Sequence, residues 1–244
     1  MPDINDPHEE PEEEQLGYDP ILKRSIVTRK VPLSISSDPE ARAQYVKAIT
    51  ASVRLKHPNL RTIYDCAQND EGMHLILESV PMTILDALSH GHDLRALIAG
   101  LVSGLDYAHQ HGVIHQSVAP RYIRVTEGGV VKIWGFGVGL LEAQHTGTPW
   151  ADEYHYMSPE QTRGDPVDRR TDIFSLGVLL YRLIAARLPF PGKSLPTLAD
   201  QVLRLEPEPL DDEADSRLLK AVHRCLAKDP ADRFQSLRDF RHAL

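Results

Sequence analysis

Two cysteines in 244 residues, Cys66 and Cys225, are too few and too isolated for a disulfide framework or a cysteine-based zinc site. Each reads as a small buried hydrophobe. Aromatic residues are scarce at 6%, yet a hydrophobic share of 41% is enough for a globular core. No apolar run approaches the roughly 18 residues of a membrane span, and the N-terminus lacks a basic start followed by an apolar stretch. The expectation is a cytoplasmic protein with no membrane span. Basic charge is also in short supply, with 27 Lys and Arg against 35 Asp and Glu. Eight acids (Asp3, Asp6, Glu9, Glu10, Glu12, Glu13, Glu14 and Asp19) precede the first base, Lys23, so the remaining 27 acids are balanced by 27 bases. A body without positive excess is not a sequence-independent nucleic-acid binder.

What is present divides into an acidic start and a patterned body. Residues 1–22 combine Pro, Glu and Asp with few apolar side chains and are predicted to be a disordered tail. The acidic run from Glu9 to Glu14 reads as a solvated segment, the alternative being a ligand for a basic groove. Alternation from Ser25 to Val31 predicts a half-buried strand closed by Pro32. A helix follows, with Asp38 as N-cap and Pro39 and Glu40 in its first turn, ending at His57-Pro58-Asn59. Two apolar runs, 60–66 and 73–80, flank turn residues and predict a hairpin. Leu94, Leu97, Ile98, Leu101, Val102 and Leu105 repeat at helical spacing up to Gly112. A second hairpin spans 122–126 and 130–134. The stretch from Gly135 to Pro159 has little periodicity and reads as a functional or mobile loop. Asp172 to Ile184 is apolar nearly all round, as a helix at the centre of a lobe would be. Further helices are predicted near 195–205, 214–227 and 237–244.

These residues carry a resemblance. Lys30 precedes the first helix, and His57-Pro58-Asn59 follows it. After these come Leu105-Asp106-Tyr107-Ala108-His109, Gly112-Val113-Ile114-His115, Val131-Lys132-Ile133, Phe136-Gly137 and Tyr156-Met157-Ser158-Pro159-Glu160-Gln161. Thr171-Asp172-Ile173-Phe174-Ser175-Leu176-Gly177, Leu188-Pro189-Phe190 and Asp229-Pro230-Ala231-Asp232-Arg233-Phe234 complete the series. In this order, residues from about 27 to 244 resemble a bacterial-type serine/threonine protein kinase domain. The resemblance implies an α+β, two-lobed fold, with a reduced β-rich N-lobe over 23–80 and a mainly helical C-lobe over 81–244.

It also implies which residues should do chemistry, because phosphoryl transfer needs positioned phosphates, metal ligands and a group that orients the acceptor. The catalytic-loop positions are degenerate: the base position holds Ser117, the phosphate-contacting lysine position Ala119, and the metal-binding asparagine position Tyr122. The metal-binding Asp-Phe-Gly reads Gly135-Phe136-Gly137, which leaves no carboxylate for Mg²⁺. Ala48 stands where a glutamate should pair with Lys30. Only Gly17 lies in the stretch where a glycine-rich loop belongs, and Arg124 falls at the apolar floor of the adenine pocket. The nucleotide contacts left by the resemblance are Lys30 and the hinge residues Leu77 and Ser79. By contrast the structural positions are kept: His115, Phe136, an ion pair between Glu160 and Arg233, and Asp172 capping the catalytic-loop backbone.

The resemblance therefore implies a degenerate member, a pseudokinase acting as a signalling scaffold or regulator on a protein partner such as an active kinase or a phosphoprotein. No cofactor is expected, ATP being the candidate ligand and Mg²⁺ disfavoured. The alternative is a weak or atypical ATP-dependent kinase or nucleotidyl transferase using Lys30 and a relocated acid, Glu78, Asp86, Glu142 or Asp152. The histidines 90, 92, 109, 111 and 115 read as helix-end and core residues rather than as a metal site.

Overall fold

A computed structural model describes residues 14–70, 72–145, 152–210 and 216–244. The chain opens with β1 (Glu14–Asp19) and β2 (Arg24–Lys30), then α1 (Leu33–Ser36) and α2 (Pro39–Val53). β3 (Ile63–Asn69) and β4 (Gly72–Glu78) complete a four-stranded antiparallel sheet in the order β1-β2-β4-β3. Asp38 caps α2, accepting from the Ala41 amide at 2.8 Å, as its sequence position predicts.

Residues 14–19 correct the expectation of a tail running to residue 22. β1 buries no residue, and its brief alternation of Leu16 and Tyr18 faces solvent, so it is fixed instead by its six-residue ladder with β2. Opposite charges face each other at both ends of that ladder, Glu14 against Arg29 and Asp19 against Arg24. The rest of the acidic run lies outside the described residues. Cys66, expected to be buried, is exposed, because β3 is the other edge of the sheet and buries only Ile63. Cys225 is buried.

After the hinge, β5 (Met82–Thr83) and α3 (Ile84–Ser89) lead into α4 (Leu94–Gln110). A 3-10 turn at Pro120–Tyr122 precedes β6 (Ile123–Val125) and β7 (Val131–Ile133), which form a second sheet with β5. The segment expected to lack structure contains α5 (Gly139–His145) and a 3-10 turn at Asp152–Tyr156. Then come α6 (Pro159–Arg163), α7 (Arg169–Ala185), α8 (Leu195–Arg204), α9 (Ser216–Cys225) and α10 (Leu237–Ala243). Twelve of the 17 residues of α7 are buried, which makes it the axis of the larger lobe. One apolar core runs from Val27 in the small lobe to Phe240 in the large one. The lobes are stitched together where Ile133 donates to the Asn59 carbonyl and accepts from the Arg61 amide, at 2.9 and 2.8 Å. Among the described residues no helix is long and apolar enough to cross a membrane.

Candidate functional site

Strand alternation decides which side chains of β2 enter the cleft between the lobes. Val27, Arg29 and Val31 are buried, whereas Lys30 is exposed on the outer face of the sheet, opposite His74. The expectation of Lys30 as the cleft cation is thereby corrected, since a one-residue change of phase moves every side chain to the other face. Arg29 takes that place. Its guanidinium makes a two-pronged contact with the Glu142 carboxylate, at 2.7 and 2.9 Å, and lies 4.9 Å from the centre of the Trp134 ring.

Glu142 belongs to α5, which is tied to the small lobe by the Ser34 hydroxyl donating to the His145 carbonyl. The carboxylate also accepts from the hydroxyls of Tyr45 on α2, at 3.0 Å, and Tyr122, at 3.2 Å. Burial opposes its charge, but Arg29 outweighs burial and holds the Glu142 carboxyl below the ordinary carboxylate value. The Tyr122 hydroxyl lies 3.2 Å from Glu153 as well, and Arg121 donates to the same Glu153 oxygen at 3.1 Å. Five elements of both lobes thus meet on one buried polar network.

The positions that the resemblance reads as degenerate lie around this network. Tyr122 is fully buried, and Gly135, at φ +85°, sits so close that a Cβ on it would lie 2.3 Å from Tyr122 Cδ1. Ser117 is buried under the start of α5, where a Cβ on Gly139 would fall 2.4 Å from the Ser117 hydroxyl oxygen. That hydroxyl has no hydrogen-bond partner among the described residues. Ala119 is buried, and Ala48 on α2 lies against Gly137. Leu77 is buried at the end of β4, and Ser79 is half-buried in the connection that follows it.

A second charged group fills the hinge side of the cleft. Arg61 donates to both Glu14 carboxylate oxygens, at 2.8 and 3.2 Å, and through Nε to the Glu78 carbonyl at 2.8 Å. Arg124 reaches the same Glu14 carboxylate at 3.5 Å. Glu78 is paired with Lys132 at 2.9 Å and accepts from the Thr62 amide. Sequence reasoning missed Arg29, Arg61 and Glu14. The available signal was the burial of Arg29 implied by counting alternation from Val27.

The retained positions are joined as a scaffold. Asp172 accepts from the backbone amides of His115 and Gln116, both at 2.7 Å, and contacts His109 Nε2 at 2.7 Å. His115 Nε2 meets the Trp134 carbonyl at 2.9 Å and its ring packs on Phe136. Burial pulls the His115 pKa below the ordinary histidine value. Arg233 grips Glu160 at 2.7 and 2.8 Å, with the Thr171 hydroxyl on the same carboxylate at 2.8 Å. His90 and His111 end α3 and α4, each contacting a carbonyl four residues back.

A small sheet-rich lobe, a helical lobe and this cleft define a two-lobed kinase-like architecture. The model of the protein kinase domain matches residues 22–243, and the chain belongs to that family. It is 30% identical to the probable serine/threonine-protein kinase SCO3848 of Streptomyces coelicolor, over 92% of this chain and 36% of that protein. It is 27% identical to the serine/threonine-protein kinase PrkC of Bacillus subtilis, over 92% of this chain and 36% of PrkC. Serine/threonine-protein kinase PknB of Mycolicibacterium smegmatis is 30% identical, over 94% of this chain and 40% of PknB. The chain spans little more than a third of the length of these relatives.

The family normally works with ATP and Mg²⁺, and the residues at its two metal-holding positions do not fit Mg²⁺. Tyr122 and Gly135 supply neither an amide nor a carboxylate for a metal.

Proposed function

We propose that this chain is a catalytically inactive kinase-fold protein, a pseudokinase, that acts as a scaffold or regulator by contacting another protein such as an active kinase or a phosphoprotein. The observation that carries the reading is the buried Tyr122 ring packed against Gly135, which leaves no amide or carboxylate at either of the two positions where the family holds a metal ion. In this reading residues 23–80 and 81–244 are the two lobes, with the Glu14–Asp19 strand added to the smaller one.

A weak or atypical transferase is the second reading, favoured by the kinase names of the relatives. Each acid it could recruit has other work. Glu142 holds Arg29, Glu78 holds Lys132, Asp152 holds Arg182, and Asp86 closes the capping box of α3.

The test is incubation of the purified chain with labelled ATP, with and without Mg²⁺, together with thermal unfolding under the same conditions. No labelled protein and no Mg²⁺-dependent rise in Tm are expected. A ligand at a hundred times its Kd would add about 2.7 kcal/mol, which such an experiment resolves. Transfer of the γ-phosphate that is lost on Arg29→Met or Glu142→Gln substitution overturns the reading.

A further inference from the structure

β1 is attached to the molecule in an unusual way. It is an edge strand with no buried residue, and its Leu16 and Tyr18 are 77% and 60% exposed. The hydrophobic effect therefore contributes little to keeping it in place. What keeps it is the main-chain ladder to β2, the Glu14 carboxylate that enters the cleft, and an ion pair of Asp19 with Arg24 at 3.5 Å at the far end.

The receptor for that carboxylate is built into the body. The Arg61 side chain is 0% exposed, and its Nε is fixed by the Glu78 carbonyl so that both terminal nitrogens point at Glu14. Arg124, on β6 of the other lobe, reaches one of the same oxygens, Glu14 Oε2, at 3.5 Å. Arg61 and Arg124 thus form an acceptor for a carboxylate beside a strand edge able to pair with an extended peptide. Main-chain pairing gives such docking its affinity, and a charged side chain in a fixed acceptor gives it register.

We propose that the β2 edge and the Arg61–Arg124 acceptor form a docking site for an acidic, extended peptide segment of a partner protein, held in cis by Glu14–Asp19. The proposal rests on the pseudokinase reading, in that it assigns the cleft to a partner. Everything the cis strand uses, a backbone ladder and a carboxylate at each end, an acidic partner strand supplies equally. The apparent affinity of the partner is then scaled by the fraction of molecules in which β1 is released, so weakening Glu14 strengthens binding in trans.

The experiment uses the full chain, wild type and Glu14→Gln, and a fluorescent acetylated peptide of residues 14–20 as the probe, read by anisotropy without nucleotide or metal. Glu14→Gln is expected to bind the peptide at least tenfold more tightly than wild type, and a peptide with Gln at position 14 at least tenfold more weakly than the Glu14 peptide. The peptide-side change leaves the folding of the chain untouched. Equal binding by the two proteins, or of the two peptides, overturns the proposal. Dimerisation of Glu14→Gln on sedimentation, with no peptide binding, would assign the site to a second copy and overturn the partner form. Because ATP is absent, a failure here is distinct from a failure of the pseudokinase reading, which the transfer assay alone decides.

Discussion

The ring of Tyr122 stands where a side chain on residue 135 would have to go, with Cδ1 only 2.3 Å from the position of a Cβ on Gly135. Two positions that bind metal in an active relative are therefore linked by steric exclusion. While the ring stays in place, no side chain fits at position 135 without displacing it.

Restoring the acid by Gly135→Asp should thus destabilise the protein by about 3–5 kcal/mol, through overlap, a positive φ and a buried carboxylate without a partner. Tyr122→Asn alone removes a buried ring and should cost a similar amount. The double variant should be more stable than the sum of the two by about 1–3 kcal/mol, since the asparagine vacates the space the aspartate needs. Urea unfolding of the four proteins measures the coupling, and strict additivity would contradict the steric link.

Glu142→Gln leaves the Arg29 guanidinium buried against a neutral group, and should cost about 3–5 kcal/mol. Arg29→Met combined with Glu142→Leu, which removes both charges and keeps the volume, should recover much of that loss. A double variant no more stable than Glu142→Gln would show that the pair is not the source of the cost.

Much of the scaffold could be read from the sequence because its residues sit in fixed local motifs. Asp172 near the start of a strongly apolar helix, and Glu160 within Ser158-Pro159-Glu160-Gln161, announce themselves by their neighbours, and the structure joins them to His115 and Arg233. The cleft was harder to read. Arg29 and Lys30 are adjacent cations, and only the phase of β2 decides which is inside, a phase set by Val27 and Val31 packing on the core. Glu142 lies 113 residues from Arg29, in a segment without apolar periodicity. β1 has polar side chains on both faces, so a strand and a tail look alike until its partner strand is in place.

Glu160 and Arg233 lie apart from the Arg29 network and share no partner with it. Glu160→Gln should therefore cost about 3 kcal/mol or more and add to Glu142→Gln within about 0.5 kcal/mol. A coupling larger than that, found by denaturant unfolding, would mean that the two networks communicate.

Acid should unfold the protein in two stages. His115 is held below the ordinary value of 6.5 by burial, so the unfolded chain takes up a proton there before the native state does. Its contribution is complete above pH 6.5 and is lost as pH falls from there through the lowered native value. Glu142 and Glu160 are also held below the ordinary 4.5, against burial, by Arg29 and Arg233 respectively. Their contribution is complete above pH 4.5 and is lost as pH falls through their lowered native values. Stability measured by urea unfolding should decline gently from pH 6.5 and steeply below pH 4.5. In Arg29→Met with Glu142→Leu the steep stage should lose the part due to Glu142 and keep the part due to Glu160, while the gentle stage is unchanged. A steep stage of undiminished size in that variant would place the acid sensitivity elsewhere in the molecule.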